Sequence, residues 1–283
     1  MTGTETTPLA GGEPEGRPPG IVGTRIFALF ATERNWLALS RPHLPLAAPV
    51  VGTVGWQAFV ALAPAAECGI VAVPPAHGAA MREPLRRFHR THPFTPIVLV
   101  ADGDLPPDVA ALGVVVRAPL EAVRLWPAIQ QACTDTLLLE SAARFAAAER
   151  HPPLLRRALA LACTAAAPIR TLGELARATG CDQRTFREHW RRADPLARTL
   201  RLEDVLDWLL LLRACRGRSP RTSWGAVAAT LGVQREELRR IAVTHAGVRL
   251  RDLAPDTGPR LRALFRQTVL DPFVASDSAV PGR

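Results

Sequence analysis

The chain has 283 residues, enough for about two ordinary domains. Its 48% hydrophobic and 22% charged content excludes a disordered polymer. All 35 basic residues are arginine, set against 26 Asp and Glu, for a net charge of +9 at pH 7.

That excess is unevenly placed. Residues 1–150 carry 12 Arg and 13 acidic residues, net −1, whereas residues 151–283 carry 23 and 13, net +10. A coding bias toward arginine would act on both halves alike. The basic C-terminal half therefore has the electrostatic footprint expected of a polyanion-binding region. Cys68, Cys133, Cys163, Cys181 and Cys215 form no CxxC or CxxH pair, which excludes the usual zinc and disulfide frameworks. His77 and His151 have no evident metal partners, so no metal or cofactor is expected. The N-terminus lacks an apolar leader, and the longest apolar run, DWLLLLRA, is too short to span a bilayer. The expected location is cytoplasmic and nucleoid-associated.

In chain order, residues 1–20 are rich in Gly, Pro, Thr and Glu and are expected to be a disordered tail. From residue 21 to 132, short β-rich runs alternate with helical stretches. RIFALFA, APVVGTVG, GIVAVPP, PIVLVAD and GVVVRAP are the strand candidates. Five strands separated by helices predict βαβ units and a five-stranded parallel sheet. Residues 121–150 are helical almost throughout. Their apolar stripe fits a helix packed on the sheet or an extended dimerising connector, assigned to 133–152. Pro152 and Pro153 then mark a domain boundary. Residues 153–270 show only helical patterns, and 271–283 is expected to be a flexible tail. The predicted fold class is thus an α/β N-terminal domain plus an all-α C-terminal domain.

Within that half, TLGELARATGCDQRTFREHWRR carries the functional signal. Thr171 with Glu174 is a capping box that starts a helix. Leu172, Leu175 and Ala176 form its inner face, and Gly180 permits a tight turn. Asp182 caps a second helix with an inner face of Phe186, His189 and Trp190. Its outer face presents Gln183, Arg184, Arg187, Glu188 and Arg191. This spacing fits a helix-turn-helix and also a plain helical hairpin. The plan recurs in SWGAVAATLGVQREELRRIAVTHAG: Ala176 and Ala228, Gly180 and Gly232, and Phe186 and Leu238 all lie 52 residues apart. One long apolar helix, from Leu200 to about Cys215, separates the units.

On these residues, 151–270 resembles the DNA-binding domain of AraC/XylS-type transcription regulators, with Ala246-Gly247-Val248 closing the second unit. The resemblance implies two helix-turn-helix units placing recognition helices in successive major grooves, about one turn or ~34 Å apart. Carried over, the base-facing candidates are Arg184, Arg187 and Glu188, then Arg235, Glu236 and Arg240. Gln183, Arg191, Gln234 and Arg239 complete the DNA-binding set. Arg can donate to guanine and Glu can accept from cytosine. The sequence departs from the family in a second turn one residue shorter than usual, in Leu238 and Ala242 at aromatic core positions, and in Leu250 where a proline usually follows Gly247-Val248.

The N-terminal alternation resembles a response-regulator receiver domain without its chemistry. Glu33 alone stands where an acidic pair is needed, Val71 or Ala72 at the phosphate acceptor, Val100 at the hydroxyl and Ala118 at the lysine. One carboxylate is too few for a tight Mg²⁺ site. The expectation is a pseudo-receiver acting in dimerisation or partner contact. Arg82, Arg86, Arg87, His89 and Arg90 form a basic helix face, a solvated surface or an anion pocket. No GxSxG, P-loop or GxGxxG is present, so no enzyme is expected. The partners expected are double-stranded DNA, a second copy of the chain and RNA polymerase. The rival reading is a protein-interaction adaptor that has lost specific DNA binding.

Overall fold

The computed structural model describes residues 27–30, 50–53, 55–73, 78–101, 103–117, 122–193, 196–218, 222–253 and 257–275. Three parallel strands carry the described N-terminal core: β1 (Cys68–Val73), β2 (Ile97–Ala101) and β3 (Val114–Arg117). Ile70 stands opposite Val98, which stands opposite Val114. Side chains alternate between the two faces of a strand. Accordingly Ile70, Val98, Val100 and Val116 face one side, while Val71, Val73 and Leu99 face the other with Phe59, Leu85 and Phe88. Helices cover both faces, which is why these strands are continuous apolar runs. Phe59 and Leu85 come from α1 (Trp56–Leu62) and α2 (Arg82–Thr91).

The expected fold class needs correction. Among the described residues the molecule is mostly helical (67%), and three strands, β1–β3, carry the described core; Phe27–Phe30 and Val50–Thr53 lie beyond β1 in the same parallel sheet, in the order 50–53, 27–30, β1, β2, β3. The candidate runs RIFALFA and APVVGTVG yield only four-residue backbone pairings, Phe27–Phe30 and Val50–Thr53, outside β1. Alternation of residue types marked them, but alternation does not set strand length. The receiver-like positions Val71, Ala72 and Val100 are buried core residues of β1 and β2. Glu33, His77, Ala118 and the 1–20 tail lie outside the described residues.

One helix joins the two halves. α3 (Ala122–Ala147) runs 26 residues with Pro127 inside it. Its Leu125, Ala128, Ile129, Ala132 and Cys133 pack on the sheet. Its Leu137, Leu138, Ala142 and Phe145 belong to the helical core. The boundary expected at 132/133 therefore falls inside a continuous helix, and most apolar residues of the expected connector pack on the bundle, with Leu139 exposed. A helix with apolar residues on several faces does this.

The helical core is built by α4 (Pro153–Thr164), α5 (Leu172–Thr179), α6 (Gln183–Arg191), α7 (Leu202–Gly217), α8 (Trp224–Thr230), α9 (Arg235–Ala246) and α10 (Gly258–Phe265). α7 is its axis: Val205, Leu206, Trp208 and Leu209–Leu212 are all buried. Arg213 is buried too, and donates to the carbonyls of Ala162 (3.2 Å) and Cys163 (2.9 Å) at the end of α4. A cation is favourable at a helix C-terminus. The flexible tail expected from residue 271 also needs correction. Asp271–Ala275 is helical, and Phe273 is fully buried, edge-on to Phe145 at 4.9 Å.

Candidate nucleic-acid interface

The two candidate units share one local construction. Thr171 N-caps α5, accepting from the Glu174 N–H at 3.1 Å. Ser223, 52 residues later, N-caps α8, accepting from the Ala226 N–H at 3.1 Å. α5 ends at Gly180 (φ +66) and α8 runs into Gly232 (φ +69), the left-handed region that glycine enters without a Cβ penalty. The N–H after each glycine returns to the alanine five residues back: Cys181 to Ala176 and Val233 to Ala228, both 3.0 Å. The N-cap of the next helix stands two residues past glycine in each unit, at Asp182 and at Gln234. The two turns are thus equal in length. Leu172, Leu175, Ala176, Phe186 and Trp190 are buried, as are their counterparts Trp224, Val227, Ala228, Leu238 and Ala242.

The caps differ. Asp182 accepts from the N–H of Thr185 (2.8 Å) and from its hydroxyl (2.9 Å), and these bonds hold its carboxyl below the usual aspartate value. Gln234 makes no side-chain cap bond. The Thr171–Glu174 box is also modified: Glu174 accepts from the N–H of Arg170 at 2.7 Å. Trp190 is fixed by donating its indole N–H to the Leu200 carbonyl at 2.8 Å. His189 is half-buried, and its Nδ1 has no partner.

The outer faces hold the expected set, in varied states. Gln183, Arg184, Arg187 and Arg191 of α6 are exposed, as are Gln234, Arg235, Glu236, Arg239 and Arg240 at α9; Glu188 is half-buried. Arg184 pairs with Glu188 at 3.1 Å and Arg239 with Glu236 at 2.6 Å. Arg235 pairs with no described residue and stands free at the start of α9. Gln183 leans back over Gly173 in α5. Sequence reasoning missed the ties between units. Arg187 pairs with Glu203 (3.6 Å) and Arg240 with Asp207 (3.2 Å), carboxylates one turn apart on α7. Both candidate recognition helices are therefore braced on the same end of the central helix. By the 52-residue offset Arg184 corresponds to Glu236 and Glu188 to Arg240, so the two faces carry their charges in opposite order.

Asp204, Asp207 and His245 bring ligand-type atoms within 4.8 Å of one another. Arg201 engages Asp204 at 3.1 Å, and Asp207 is shared by Arg240 and His245, so cations of the protein already serve both carboxylates. His151 is buried with its ring Nε2 3.0 Å from the Phe273 carbonyl. On α2, Arg82 and Arg86 both pair with Asp108 at 2.8 Å, and Arg90 with Glu83 at 3.0 Å, the arrangement of a solvated face.

No protein-family profile, curated protein or solved structure matches the chain. No helix among the described residues is long and apolar enough to cross a membrane.

Proposed function

We propose that the protein is a sequence-specific DNA-binding transcription regulator of AraC/XylS type, reading double-stranded DNA with α6 and α9. One observation carries this reading: two capped helix–glycine–helix units at a 52-residue spacing, both presenting arginine-bearing second helices outward from one core. A second helix held by its inner apolar face and offering Arg and Gln outward suits a major groove. The net charge of +10 on residues 151–283 supplies the phosphate attraction.

On α3 most of the apolar stripe is buried, and Leu139, 52% exposed, is the residue it offers to a homodimer contact. Val115 on β3 and Phe94 are exposed apolar residues on the sheet half and offer such a surface. RNA polymerase would be a partner of the DNA-bound form. The adaptor reading draws on a specific observation, since Arg184, Arg187, Arg239 and Arg240 are each paired with a carboxylate of the protein. Fluorescence anisotropy on the full chain separates the two. A regulator loses affinity for duplex DNA steeply between about 50 and 200 mM salt. An adaptor shows no DNA affinity even at the low end.

A further inference from the structure

Cys68 opens β1 and Cys133 lies midway along α3, and both side chains belong to the apolar core between that helix and the sheet. Both thiols are free. The Cys133 thiol donates to the Glu67 carbonyl and the Cys68 thiol to the Gly69 carbonyl, each at 3.5 Å. The Glu67 carbonyl belongs to the peptide group that Cys68 completes, so the helix thiol rests on the backbone that carries the strand thiol. The two sulfurs also lie within hydrogen-bonding reach of each other.

A cation stands beside this pair. Arg262 reaches in from α10, donating to Gln130 Oε1 at 2.8 Å and pairing with Glu67 at 2.8 Å. Glu67 precedes Cys68 in the chain, and Gln130 lies three residues before Cys133, on the same side of α3. The thiols are therefore unequal. The hydrogen bond from Cys68 brings the Cys133 thiol below its ordinary 9.0, against its burial and with the help of the Arg262 charge, whereas burial pushes Cys68 above 9.0. By contrast, burial pushes Cys163 and Cys215 each up to about 12. A thiolate beside a cation, next to a second thiol, is the arrangement in which cysteines are oxidised selectively. Access sets the oxidant. Cys68 is fully buried and Cys133 is 5% exposed, so only a reagent close to water in size reaches the Cys133 sulfur.

We propose that Cys68 and Cys133 are a peroxide-reactive pair that closes to an intrachain disulfide between β1 and α3. The Cys133 thiolate attacks one oxygen of hydrogen peroxide. The O–O bond breaks, the departing hydroxide takes up the proton that Cys133 gave up and leaves as water, and a sulfenic acid remains on Cys133. The Cys68 sulfur then attacks the Cys133 sulfur, the S–O bond breaks, and a second water leaves with the Cys68 proton. Two thiols are oxidised to one disulfide, and one peroxide is reduced to two waters. The S–S bond draws Cys133 off the Glu67 carbonyl, directly beneath the Glu67–Arg262 contact that ties the sheet half to α10. This site is separate from the DNA-reading faces and does not depend on that assignment.

Brief treatment of the reduced full chain with hydrogen peroxide, then alkylation after unfolding and peptide mapping by mass spectrometry, tests the proposal. Two of the five thiols should be lost. One linked pair of peptides, holding Cys68 and Cys133 and lighter by two hydrogens, should appear and should revert with dithiothreitol. Cys68→Ala removes the second thiol, so Cys133 should instead be trapped by dimedone as its sulfenic acid. Cys133→Ala should leave Cys68 reduced. A core cysteine packs as a small apolar side chain, so alanine is a mild replacement, and the map of the unaltered chain decides the matter if a variant does not fold. Cys68 and Cys133 both staying reduced, whether or not Cys181 is oxidised, overturns the proposal. So does a disulfide joining either of them to another cysteine.

Discussion

The guanidinium of Arg170 donates to the backbone carbonyl of Gly232, so the residue just ahead of the first unit's N-cap grips the turn of the second. The same side chain pairs with Glu174 at 2.5 Å. Three parts are fastened at once: the start of α5, the α8–α9 turn and, through them, the relative setting of α6 and α9. Arg170→Ala should cost about 1–2 kcal/mol, measured by denaturant unfolding. Arg170→Lys should recover little of it, because an ammonium lacks the fork that reaches both partners.

Acid sensitivity follows from the same contact. The hydrogen bond from Arg170 holds the Glu174 carboxyl below its ordinary 4.5. A depressed carboxylate contributes stability that is present above the unfolded value and lost as pH falls through the folded one. Stability should therefore decline below about pH 4.5, and less steeply in Arg170→Ala. Equal slopes for the two proteins would remove Arg170 as the cause.

Capping gives a paired test of the repeat. Thr171→Ala and Ser223→Ala should each cost about 1 kcal/mol, since each deletes the acceptor for one helix-start N–H. Gln234 offers no such bond, so Gln234→Asp should stabilise by about 0.5–1 kcal/mol, adding an acceptor and a negative charge at a helix N-terminus. Unchanged unfolding midpoints would argue against these caps.

Much of this unit was legible in the sequence, and the reason is local. Caps, a glycine turn and inward-facing apolar residues are fixed within a dozen positions, so Thr171, Gly180, Asp182 and the offset to Gly232 could be read directly. The ties of Arg187 to Glu203 and Arg240 to Asp207 could not. Periodicity tells which way a side chain points, not which distant helix it meets. For the same reason the sequence left α3 undecided between sheet packing and an extended connector, and it gave no measure of strand length, because a short β-branched run looks alike whether its pairing is long or short.

The thiols separate by burial. Burial pushes the Cys163 thiol up to about 12, whereas Cys181 is half-exposed beside the first turn. A disulfide reagent at neutral pH should label Cys181 first and Cys163 only on unfolding. A raised thiol value adds stability that is intact below the unfolded value of 9.0 and lost as pH rises toward about 12. Cys163→Ala should remove part of that alkaline decline.

On DNA, the ion pairs divide the arginines. Arg184 sits on the outer face with only its own helix's Glu188, so Arg184→Ala should lose about 1–3 kcal/mol on the preferred site and little elsewhere. Arg187→Ala and Arg240→Ala also release Glu203 and Asp207, so they should weaken binding to every sequence. The competing outcome is an equal loss on all DNA for Arg184→Ala, which would make it a phosphate contact.

The central claim is that one chain reads DNA with two unlike helices, and selection of bound fragments from random duplex DNA by the full chain tests it most directly. The expected result is a motif of two dissimilar elements about one helical turn apart, because α6 and α9 carry their charges in opposite order. Recovery of no motif, with no salt-sensitive retention of duplex, would contradict it.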